Sequence, residues 1–131
     1  MNIVCNTPLQ VLYKTYDGKT PRWVQYTEEL DGETVTVFFC SWKNYFGTEA
    51  IKANATGIMQ PARVRIPYIP ALYSILIQKE TIIVRGAEAT DLIDGVPDYK
   101  NPNLYVLTSN VDNINDESRL LEFSVKRYER K

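Results

Sequence analysis

Hydrophobic and polar positions alternate along most of this chain with the two-residue period of half-buried strands. The clearest case is Ala62-Arg63-Val64-Arg65-Ile66-Pro67-Tyr68, where Ala62, Val64, Ile66 and Tyr68 share one face and Arg63, Arg65 and Pro67 the other. After a short bridge, Glu80-Thr81-Ile82-Ile83-Val84-Arg85-Gly86 follows, a β-branched run stopped by glycine. These two strands are expected to pair at the centre of a small β domain.

Upstream, Leu9 to Tyr16 and Arg22 to Thr27 flank Asp17-Gly18 and read as a hairpin. A helix over Pro8 to Tyr16, with Thr7 as its cap, is the competing reading. A second Asp-Gly, Asp31-Gly32, introduces Glu33 to Trp42, a strand with Val35, Val37 and Phe39 on one face and Thr36, Phe38, Cys40 and Trp42 on the other. Both faces become apolar towards Trp42, which implies either burial on two sides or a face kept for a partner subunit. The pattern then lapses from Lys43 to Gln60. This long irregular loop carries Tyr45, Phe46, Ile51, Ile58 and Met59, which either pack on the domain or dock on something else. Glu88 to Gly95 reads as one helical turn ended by glycine or as a polar loop, and Val96 to Pro102 as connection. Leu104 to Ser109 and Arg119 to Tyr128 form a final hairpin. The whole is all-β, about seven short strands in a small β-barrel or sandwich.

Composition changes this picture little. The 131 residues are 44% hydrophobic and 24% charged, as expected of one folded domain spanning residues 1–131. Fifteen basic and sixteen acidic side chains leave a net charge of −1, so no overall field draws the chain onto nucleic acid or an anionic membrane. Only the end, with Lys126, Arg127, Arg130 and Lys131, is locally basic. No secretory leader and no bilayer-length apolar run is visible, which implies a cytoplasmic protein with Cys5 and Cys40 as free thiols.

Histidine is absent, which removes the commonest general base, the commonest zinc ligand and the usual catalytic triads. Asp91, Asp94 and Asp98, and the group Asp112, Asn113, Asn115, Asp116 and Glu117, lack the spacing and glycine of a calcium loop and read as solvated turns. No phosphate loop, dinucleotide fingerprint or nucleophile elbow is present. No catalytic residue, metal or cofactor is therefore expected. The aromatic strands Thr36 to Trp42 and Leu104 to Ser109 leave open an oligonucleotide- or ligand-binding barrel, without a basic groove to favour it. A carboxylate-pair hydrolase leaves no spacing in sequence and also stays open.

The order of Val37 to Trp42, Val64-Arg65-Ile66-Pro67-Tyr68, Ile82-Ile83-Val84-Arg85-Gly86, Leu107-Thr108-Ser109 and Leu121 to Val125 resembles small proteins of the head-to-tail connector of tailed bacteriophages, the head-closure or minor capsid proteins. Where that family usually carries Gly-Asp this chain has Lys79-Glu80, and Glu122 or Phe123 stands where a histidine is frequent. The resemblance implies a non-enzymatic virion protein. It would assemble in the host cytoplasm as a homo-oligomeric ring between the portal or adaptor and the tail, with passive contact to DNA in the channel and none to membrane. A tail completion or terminator protein is the neighbouring reading. The residues expected at partner surfaces are those of the loop and adjoining strand: Phe38, Trp42, Tyr45, Phe46, Ile51, Lys52, Ile58 and Met59.

Overall fold

The computed structural model describes residues 5–44, 62–88, 92–93, 95–114 and 119–128. Its elements are β1 (Thr7–Asp17), β2 (Thr20–Gln25), β3 (Glu28–Leu30), β4 (Glu33–Val35), β5 (Phe38–Asn44), β6 (Ala62–Pro67), α1 (Pro70–Gln78), β7 (Thr81–Arg85), β8 (Leu92–Ile93), β9 (Val96–Pro97), β10 (Leu104–Leu107), β11 (Asp112–Asn113) and β12 (Leu120–Arg127). Six strands close a barrel in the order β1-β5-β6-β12-β10-β7, with β7 returning to β1. Every rung of the closure is antiparallel. The fold is thus the barrel alternative of the two that the alternation allowed.

Period-two patterning fills the interior. Leu9 and Val11, Phe38 and Cys40, Ala62, Val64 and Ile66, Ile83, Tyr105, and Leu121, Phe123 and Val125 all point inward from their strands and form one buried cluster. A smaller cluster of Leu12, Ile82, Val84 and Leu104 lies on the outer face of β1, β7 and β10, covered by Trp23, Leu92, Tyr99 and Tyr128. Because β7 is covered on both faces, it reads as a continuous apolar run rather than an alternating one.

The N-terminal segment is strand, not helix: β1 pairs with β2 from Leu12↔Gln25 to Asp17↔Thr20. In the β3–β4 hairpin both turn residues have positive φ, 51° at Asp31 and 81° at Gly32, which is why Asp-Gly suits this two-residue turn.

Four expectations need correction. The strands Ala62–Pro67 and Thr81–Arg85 do not pair; they stand on opposite sides of the barrel, β6 between β5 and β12, and β7 between β1 and β10. The bridge joining them is the helix α1, which carries the chain across one end of the barrel. Pro70 opens it, and Leu72 and Leu76, one turn apart, are buried in the main cluster with Ile69 and Tyr73 packed beside them. The expected strand Glu33 to Trp42 breaks at Thr36–Val37, since β4 belongs to its own hairpin and β5 to the barrel wall. Neither a helical turn nor plain connection runs through 92–97, where β8 and β9 form a two-stranded hairpin with Ile93↔Val96 as its inner rung.

Candidate functional site

The expected partner residues divide between two places. Tyr45, Phe46, Ile51, Lys52, Ile58 and Met59 lie outside the described residues. The described residues on either side of them, Asn44 and Ala62, are directly opposed rungs of the β5–β6 ladder at one mouth of the barrel.

Trp42 stands beside that mouth. It occupies the inward-facing register of β5, opposite Val64, and its ring meets Tyr105 edge-on at 4.8 Å between centroids. The Arg85 guanidinium lies 4.9 Å from the centre of the Trp42 ring, and the indole N–H donates to Asn44 Oδ1 at 3.3 Å. β5, β7 and β10 thus contribute one side chain each to a cation and aromatic stack. The stack is a cation–π contact that holds the Trp42 ring between Arg85 and Tyr105.

Phe38 is placed differently. At 7% exposure it is part of the core, packed on Tyr26 with ring centroids 5.5 Å apart. The open aromatic of this strand is Phe39, 56% exposed on the outer wall. The burial of β5 is therefore one-sided; of the second apolar face implied by the sequence only Phe39 is exposed, since Val35 lies on β4 and packs against the core.

Cys40, between them, is fully buried, and its thiol donates to the Thr7 carbonyl at 3.3 Å. Burial, with Cys5 adding to it and Arg85 opposing, pushes its pKa up to about 12. A thiol so protonated is a packing group, not a nucleophile. Both cysteines are free. Burial likewise raises the Tyr26 phenol, helped by its hydrogen bond to the Glu28 carboxylate.

Arg63 and Arg65 lie on the outer face of β6 and share one carboxylate of β12, with Nε to Glu122 Oε1 distances of 3.2 and 3.4 Å. Asp98 serves a turn, its Oδ1 accepting from the Lys100 N–H at 3.1 Å. Among the described residues no group of three metal-binding side chains comes together, and no helix is long and apolar enough to cross a membrane.

A second feature was not signalled by any motif. The β7–β10 ladder has the rungs Leu104↔Val84 and Tyr105↔Ile83 and stops there, although β7 extends back to Thr81 and β10 on to Leu107. Beyond that point β7 is held by β1, through Thr81↔Tyr13, and β10 by β12, through Leu107↔Val125. The wall splits between them, and a cavity of about 690 Å³ opens in the split. Inward residues such as Leu76 and Leu107 and outward ones such as Trp23 and Tyr99 both line it. Only the alternation of side chains over two strands that were not expected to be neighbours would have located it.

No protein-family model matches this chain, and no curated protein is significantly similar to it.

Proposed function

We propose that this is a non-enzymatic structural protein of the phage head-to-tail connector, a head-closure subunit that acts by assembling into a ring with copies of itself between the portal or adaptor and the tail. The observation that carries the reading is a closed six-strand barrel whose sequence holds a long apolar-bearing stretch, residues 45–61, between the paired residues Asn44 and Ala62. In a ring the barrel would form the wall and the insert would reach the channel or the neighbouring ring.

A closed ring requires two different, complementary patches on each subunit. Phe39 on β5 and Leu30 with Tyr16 on the hairpins offer exposed apolar side chains at separate places on the surface. They support an interface of this kind, as does the order of strand motifs shared with the connector family. A tail completion or terminator protein would use the same features.

The test is assembly. The chain is expressed alone and together with the products of its neighbouring genes, and mass is measured by light scattering with rings sought by negative-stain microscopy. Rings or defined oligomers, alone or with a portal-side partner, are the expected outcome. A strict monomer under both conditions refutes the proposal.

A further inference from the structure

We propose that the split between β7 and β10 is a binding site for a small apolar organic anion, an aromatic or aliphatic body carrying a carboxylate, sulfonate or phosphate. The proposal is independent of the connector reading.

The volume, about 690 Å³, falls within the range of small-ligand sites, about 300–1,000 Å³. Leu76, Ile82, Val106 and Val111 supply apolar walls, and Trp23 and Tyr99 flat aromatic ones. Among the described lining residues, Lys14 and Lys79 stand against a single acid, Glu80, an excess of positive charge. Glu80 is engaged with Lys14, Nζ to Oε2 at 3.5 Å, which leaves the Lys79 ammonium for a ligand.

Inside the split, Thr81 is 6% exposed, and its buried hydroxyl has no hydrogen-bond partner among the described residues. An unpaired buried hydroxyl costs free energy, and a ligand oxygen would relieve it. The peptide groups point the same way. Ladder bonds alternate along a strand: Glu80 bonds to β1, through Lys14 N–H, and Arg85 to the β10 side, through Asn103 O, which turns the Thr81 peptide towards the split. Cation, orphaned hydroxyl and turned peptide together make a polar end to an otherwise apolar cavity.

The probe is 1-anilinonaphthalene-8-sulfonate, an aromatic anion, titrated by fluorescence into the native full chain. The uncharged N-phenyl-1-naphthylamine serves as its comparison. Saturable one-to-one binding of the anion is expected, about fivefold or more tighter than to Lys79→Glu, a change at an exposed residue. Thr81→Val, which keeps the shape of the side chain, should also weaken binding. Phe39→Ser, on the outer wall, should leave it unchanged. Absence of saturable binding, equal affinity of wild type and Lys79→Glu, a neutral probe bound as tightly as the anion, or loss of binding in Phe39→Ser would each overturn the proposal.

Discussion

Leu72→Ala tests whether α1 is a structural plug or a strap. Leu72 is 0% exposed and sits in the main buried cluster, whereas Ile77 on the same helix is 53% exposed. The substitution removes three buried carbons, worth about 0.8 kcal/mol each as transfer from water, or about 2.4 kcal/mol in all. The cavity left behind adds to this, since α1 is held between two barrel strands, following β6 after Tyr68 and Ile69 and leading through Lys79 and Glu80 into β7. A total of about 3 kcal/mol is expected, roughly a 10 °C fall in Tm for a domain of this size. Ile77→Ala should cost less than about 1 kcal/mol. Urea unfolding followed by the fluorescence of Trp23 and Trp42 measures both, and an unchanged m-value shows that the two-state comparison holds. If the two variants are equally stable, α1 does not close the barrel and the core is smaller than described.

Other consequences can be checked in the same way. Thr81→Val should raise stability by about 1 kcal/mol by removing an unpaired buried hydroxyl, so a loss would show that the hydroxyl is satisfied in solution. Cys40 should resist a thiol reagent at pH 8 while native and react only on unfolding; rapid modification of both thiols would contradict its burial. Because the Cys40 pKa is raised in the fold, the unfolded chain loses the proton first, and stability should fall as pH rises from about 9 towards 12, by at most about 1.4 kcal/mol per pH unit for this group. In Cys40→Ala that share of the alkaline slope should vanish. Glu122→Gln removes the carboxylate shared by Arg63 and Arg65, but all three are partly exposed, so a cost of about 1 kcal/mol or less is expected in urea unfolding.

Much of the barrel was legible because its strands obey simple alternation. β6 and β12 show it without interruption, and Asp17-Gly18 marked the β1–β2 hairpin. What alternation cannot give is neighbourhood. β6 and β7 follow each other in sequence, yet lie across the barrel, because the helix α1 carries the chain from one to the other. The signs of α1 were present: Pro70 at a first turn, and Leu72 and Leu76 at helical spacing. They were outweighed by the β-rich sequence on either side. Phe38 and Phe39 show the same limit at one residue's scale, since two adjacent aromatics on a strand announce two faces without saying which is inside. The Trp42, Arg85 and Tyr105 stack and the Thr81 split both arise from strands far apart in sequence, so no spacing could reveal them.

The rung between Asn44 and Ala62 also bears on how this chain can change. Since the barrel itself holds the two ends of the insert side by side, lengthening that stretch costs little: each doubling adds only about 0.6 kcal/mol of closure entropy. The mouth is thus a place where evolution, or an engineer, can lengthen, shorten or replace a segment while the wall that carries it keeps its register.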